Sequence, residues 1–110
     1  MHKQMLSVVL ATAMVLVART IPAADPAAGK KVFDHYCSEC HAPGFGHSGT
    51  QELEVLRGKD QSVLERRRDL APDYVRYVVR HGLWQMPPYR PTEIDDHQLD
   101  LLVAYLAKAK

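Results

Sequence analysis

Cys37, Cys40 and His41 stand together as Cys-x-x-Cys-His, the residues in this chain whose types and spacing most directly announce chemistry. The pattern is that of covalent haem attachment. Each thiol can add across one vinyl group of the porphyrin to give a thioether, and the two-residue gap suits the separation of those vinyls. The adjacent imidazole then falls beneath the iron as proximal ligand. A redox dithiol, a structural disulfide or half of a zinc site would use the same cysteines. Zinc needs a further ligand pair at comparable spacing, and the sequence has no second Cys-x-x-Cys and no His-x-x-x-His. A thioredoxin-like dithiol needs a preceding βαβ pattern, which is not visible.

An iron with one histidine has a second axial position, and Met86 is the best candidate for it. Met86 lies in a loop stiffened by Pro87 and Pro88. Its thioether sulfur favours ferrous iron and so raises the reduction potential, which suits an electron carrier. The other methionines, Met1, Met5 and Met14, fall in an N-terminal segment expected to be removed. His81 is the main rival ligand, followed by His47 and His97; bis-histidine ligation and an open iron site are the competing readings. The haem carboxylates also need partners. Arg57, Arg80, Tyr74 and Trp84 could reach them, and the preferred one is Arg57, because the guanidinium fork suits a carboxylate.

These residues need elements to position them, and the punctuation of the chain is helical. Asp25-Pro26 predicts a helix from Pro26 towards Tyr36, with Asp25 as cap and proline in the first turn. Val32, Phe33 and Tyr36 share its apolar face, and Gly29 beside Phe33 predicts a crossing with another helix. A Gly- and Pro-rich loop follows His41. Thr50 is expected to cap a short helix through Leu53 to Leu56, stopped by Gly58. Ser62-x-x-Glu65 predicts a capping box for another, and Arg66-Arg67-Arg68 reads as a solvated face. Pro72 opens a helix patterned by Tyr74, Val75, Val78 and Val79 and ended by Gly82. Leu83 to Tyr89 is too rich in proline for helix or strand. Thr92-x-x-Asp95 predicts a capping box for a final helix with Ile94, Leu101, Leu102 and Tyr105 as its buried stripe. No alternating β pattern of useful length appears, so the fold class is all-α.

Ahead of these elements, Leu6 to Ala18 forms a largely apolar run behind His2 and Lys3. It is too short for a bilayer, which needs about 20 residues. With the small residues Pro22-Ala23-Ala24 it reads as a secretory signal peptide over residues 1–24, cleaved near Ala24. An uncleaved anchor is the competing reading, on the strength of Arg19 near the cut. Cleavage leaves residues 25–110 as one domain without stable membrane insertion, in the bacterial periplasm where haem is attached covalently. The full chain carries 14 basic and 13 acidic side chains. Losing Lys3 and Arg19 makes the remainder slightly acidic, and haem carboxylates make it more so, which excludes a nucleic-acid binder.

Helix, Cys-x-x-Cys-His, loop, helix, Met-Pro loop and terminal helix together resemble a class I cytochrome c across residues 25–110. That resemblance implies one covalent haem c with its iron and a first helix crossing the last, where Gly29 and Phe33 meet Leu102 and Tyr105. In the family Gly-Pro-x-Leu often follows the haem loop, and the proline carbonyl accepts the proximal histidine's Nδ1 hydrogen. Here the stretch reads Gly49-Thr50-Gln51-Glu52-Leu53, so another carbonyl is expected to orient His41.

A narrower resemblance rests on Asp69-Leu70-x-Pro72, Val78-Val79-Arg80-His81-Gly82, Met86-Pro87-Pro88 and Thr92-Glu93-Ile94-x-Asp96. These are similar to the small cytochrome subunits of flavocytochrome hydroxylases acting on 4-alkylphenols such as p-cresol or eugenol. The implied role is non-catalytic: a flavoprotein subunit oxidises the phenol, and the cytochrome accepts its electrons one at a time and passes them to a downstream acceptor protein. The working surface would be the apolar rim of the haem edge, including Leu83, Trp84 and Pro87. Three alternatives stay open. They are a free-standing carrier for another periplasmic dehydrogenase or a terminal oxidase, a haem peroxidase, and a haem sensor.

Overall fold

The computed structural model describes residues 18–20 and 22–108, so most of the expected signal peptide lies outside the described residues. The first helix, α1 (Pro26–Tyr36), starts and stops as its punctuation requires. Asp25 is extended and its carboxylate accepts from the Ala27 N–H at 2.9 Å. Pro26 occupies the first turn, where a missing N–H breaks no helical bond. After Cys37 the chain makes a single helical turn, α2 (Ser38–His41).

The last helix, α5 (Asp96–Leu106), packs across α1. Gly29 lies at the contact. A Cβ there would overlap the Leu101 carbonyl oxygen and stand 2.5 Å from Tyr105 Cβ, so only glycine lets the two backbones meet. Phe33 and Leu102 are almost wholly enclosed at this crossing, and the Phe33 and Tyr105 rings lie 6.0 Å apart. Burial of side chains this large contributes about 1.5–3 kcal/mol each. Gly29, Phe33, Leu102 and Tyr105 are the crossing residues the sequence indicated.

Five local expectations are corrected. The capping box of α5 is Asp95 with Gln98, three residues beyond the expected Thr92 with Asp95. Both the Glu93 and Ile94 N–H groups bond back to the Arg90 carbonyl, a tight turn that delays the helix. Ile94 is therefore a core plug ahead of α5, and the helix's own buried stripe is Leu99, Leu102, Val103 and Leu106. Thr50 caps nothing: α3 spans Ser48–Arg57, and Thr50 is buried inside it with its hydroxyl donating to the Ala42 carbonyl at 2.9 Å. Gly58, at φ 88, does end α3. Ser62 and Glu65 form no capping box. Their stretch folds as two 3-10 turns, Lys59–Gln61 and Leu64–Arg66. The Ser62 hydroxyl goes to the Lys59 carbonyl and the Glu65 carboxylate receives the Tyr105 hydroxyl, so neither side chain is free to cap. Finally, Arg67 is not part of a solvated face. It is buried, with both Nε and Nη2 donating to the Asp69 carboxylate, while Arg66 and Arg68 remain exposed.

Helix α4 (Pro72–His81) buries Val75 and Val79 and stops at Gly82, whose φ of 74 suits glycine. Among the described residues there is no strand and no helix long and apolar enough to cross a membrane. The expected all-α architecture, with its first and last helices crossing, is the one observed.

Candidate functional site

Helices α2, α3, α4 and α5, with the segment after α4, enclose a mainly apolar cleft of about 240 Å³. Its walls include Leu53, Leu64, Val75, Val79, Leu102 and Leu106. Cys37, Cys40 and His41 enter from one side of the fold, and Met86 from the loop that follows α4. Among the described residues His41 and Met86 are the only histidine and methionine lining this cleft. The rival histidines stand elsewhere. His81 is exposed, stacked on Tyr77, with its Nδ1 donating to the Tyr77 carbonyl at 2.9 Å. His47 Nδ1 donates to the Glu39 carbonyl at 2.7 Å, and His97 is exposed on α5.

Both cysteines are free of a disulfide. Burial pushes the Cys37 thiol up to about 12, with the neighbouring Cys40 adding a smaller push. A redox dithiol needs the opposite, a thiolate stabilised near neutral pH. Among the described residues no three His, Cys, Asp or Glu side chains converge as a metal site of their own. The pair therefore fits a group that arrives with its own chemistry.

His41 is placed by the closeness of α3. A Cβ on Gly49 would lie 2.6 Å from His41 Cε1 and 2.9 Å from the Cys40 carbonyl oxygen, so glycine at that position makes room for the imidazole. Burial lowers the basicity of His41, which leaves the ring neutral with a lone pair for ligation. Its Nδ1 is enclosed and has no hydrogen-bond partner among the described residues. The expectation that another carbonyl orients this nitrogen is thus not met. The residue after Gly49 is Thr50, whose hydroxyl instead ties α3 to the loop at Ala42. An unpartnered imidazole in an apolar cleft, two free thiols and a thioether make a donor set that fits haem c.

The loop carrying Met86 is short and closed. The Leu83 N–H donates to the Met86 carbonyl at 3.1 Å, and the Met86 N–H to the Leu83 carbonyl at 2.9 Å. Gly82 lets this turn fold back on α4: a Cβ there would lie 2.5 Å from the Met86 carbonyl oxygen. Trp84, inside the turn, has φ 51 and is the only non-glycine residue with positive φ among those described. Trp84 is 74% exposed and lines the cleft.

Arg57 and Trp84 both line the cleft near solvent, as does Tyr74. Arg80 does not join them. Its guanidinium donates to the Tyr89 and Ile94 carbonyls and to the Asp96 carboxylate. Among the cleft residues that the sequence did not single out are Arg67, Tyr36 in its cleft role, and Tyr89. A sequence signal existed only for Arg67, which sits between Leu64 and Leu70 with Asp69 at hand.

Residues 24–106 match the family described as cytochrome C oxidase, cbb3-type, subunit III. The chain is also 30% identical over 79 residues to the 4-cresol dehydrogenase (hydroxylating) cytochrome c subunit of Pseudomonas putida. That match covers 72% of this chain and 58% of the relative's length. No solved structure matches.

Proposed function

This chain belongs to the class I c-type cytochromes, non-catalytic electron-transfer proteins with covalent haem c and iron, and on that premise we propose that it is the exported cytochrome subunit of a flavoprotein that oxidises 4-alkylphenols. In this reading residues 1–24 are a signal peptide and the mature domain works in the periplasm. The observation that carries the site assignment is that His41 and Met86 are, among the described residues, the only histidine and methionine lining the cleft. The similarity to the 4-cresol dehydrogenase subunit supports the partner.

The residues divide the work. Cys37 and Cys40 would hold the porphyrin by thioethers, His41 and Met86 would ligate its iron, and Arg57 and Trp84 would serve its carboxylates. When bound, the haem iron supplies reversible one-electron chemistry between ferric and ferrous states. The protein's own part is static. With haem bound, the neutral imidazole of His41 and the thioether of Met86 would be the ligands of its iron. The soft sulfur of Met86 favours the reduced form, and the leucine and valine walls keep water out.

The optical spectrum of the reduced protein with added CO tests this directly. A low-spin spectrum indifferent to CO is expected, becoming CO-sensitive in Met86→Ala and unchanged in His81→Ala. The reverse pattern for the two variants would overturn the axial assignment. For the partner, the adjoining reading frames decide: a 4-alkylphenol-oxidising flavoprotein is expected there, and a different dehydrogenase or a terminal oxidase would favour the free-standing carrier.

A further inference from the structure

Tyr89 joins the two sides of the cleft. Its N–H donates to the Val79 carbonyl at 2.7 Å, and its own carbonyl accepts from Arg80 Nη1 at 3.2 Å, so α4 grips it at both main-chain groups. Its hydroxyl crosses to the Tyr36 carbonyl, 53 residues away in sequence, at 3.1 Å, and the two rings meet edge to face at 6.1 Å. Tyr36 immediately precedes Cys37, and Tyr89 follows Met86 by three residues. Pro87 and Pro88, between them, have no N–H to donate. The fastening of the Met86 segment after its turn therefore falls to Tyr89 and Arg80.

Arg80 reinforces this fastening. Only 19% of its side chain is exposed, and beyond Tyr89 it donates to the Ile94 carbonyl and the Asp96 carboxylate, both at 2.7 Å. One guanidinium thus ties three points between Met86 and the start of α5 to α4. A planar fork with five donors can serve three acceptors in this way, where lysine offers a point charge.

We infer that Tyr89 and Arg80 are positioning residues for Met86: together they brace the Met86 segment against the Cys37 side of the cleft and keep its sulfur in place. This rests on Met86 being an axial ligand. Loosening the brace raises the population of a state in which the segment swings away, and an external ligand reads that population directly. The far-red sulfur-to-iron absorption of the ferric protein reads it a second time.

The experiment uses the intact holoprotein with CO as probe. Tyr89→Phe deletes one hydroxyl without changing the ring, and CO association with the ferrous protein should quicken about three- to tenfold, the factor expected for one lost hydrogen bond. Arg80→Gln removes the fork, and the rate should rise at least about tenfold with the far-red band weakened. Arg80→Lys should fall between Arg80→Gln and the parent. The double variant should show less than the product of the two single effects, because both act through one segment. Arg76→Gln serves as control: it breaks the exposed Arg76–Asp100 pair between α4 and α5 and should lower stability without changing CO association. If Tyr89→Phe and Arg80→Gln lose stability as Arg76→Gln does while the band and the CO rate stay at parental values, the brace is only structural and the inference is overturned. A parent protein that lacks the band and takes up CO freely would instead sink the Met86 assignment, and the brace with it.

Discussion

Gly29→Ala sets two effects of known sign against each other at the crossing of α1 and α5. In an exposed helix the change would stabilise by about 1 kcal/mol, since alanine is the better helix former. At this position the added Cβ overlaps the Leu101 carbonyl oxygen and crowds Tyr105 Cβ. The first of these atoms is backbone and cannot rotate away, so α1 and α5 must separate. Separation loosens the packing of Phe33 and Leu102, the most enclosed side chains at the crossing. Overpacking of this kind costs about 1–3 kcal/mol or more. A rigid backbone contact belongs at the upper end, so the expected net loss is about 2 kcal/mol. For a domain of this size that is a fall in Tm of roughly 8–16 °C. Urea unfolding of the holoprotein, followed by far-UV circular dichroism, measures it as a lower midpoint at unchanged slope. The visible spectrum should not change, since Gly29 does not line the cleft. A variant as stable as the parent would refute the claim that the two backbones touch at Gly29.

The remaining predictions concern assembly and pH. Replacing either Cys37 or Cys40 by alanine should leave little mature holoprotein, because the leucine and valine walls of the cleft lose the group they are built around; a stable helical apo-domain from the double alanine variant, seen by circular dichroism, would contradict this. Hydrogen bonds from the Arg67 fork hold the Asp69 carboxyl down, from an ordinary 3.8 to about 2. Between those values the unfolded chain binds a proton that the folded chain does not, so stability should fall as pH drops through that window. Asp69 is half exposed, so the effect should be small and should shrink with added salt. Asp69→Asn should remove this part of the pH dependence of the unfolding midpoint and leave the rest.

Features fixed by near neighbours in sequence were readable. Asp25-Pro26, Gly58 and Gly82 punctuate helices through their own backbone preferences, and the structure uses each as expected. Cys37, Cys40, His41 and Met86 stand out in the sequence because the chemistry of ligation restricts the residue types that can serve, and the structure brings all four to one cleft. Errors arose where a side chain had a distant partner. Ser62 and Glu65 have the spacing of a capping box, but Glu65 is engaged by Tyr105, 40 residues on. Thr50 has a cap's chemistry and is used to tie α3 to Ala42. Arg80 stands with Arg57, Tyr74 and Trp84 among the side chains that could reach the haem carboxylates, because a guanidinium fork suits any set of oxygens; the set it meets is the Tyr89 and Ile94 carbonyls and the Asp96 carboxylate. Tyr89 gave no signal at all, since its role exists only once α1 and α4 are side by side.

Trp84 places free energy in the shortest link of the cleft. A bulky residue at φ 51 costs about 1–3 kcal/mol of backbone strain. Glycine there would relax the turn at once. A directed-evolution screen that rewards heat resistance alone should therefore arrive early at Trp84→Gly, and in doing so remove the aromatic surface from the cleft. For this chain melting temperature is a misleading selection criterion, because the substitution that relaxes the turn also discards the side chain that the turn holds against the cleft.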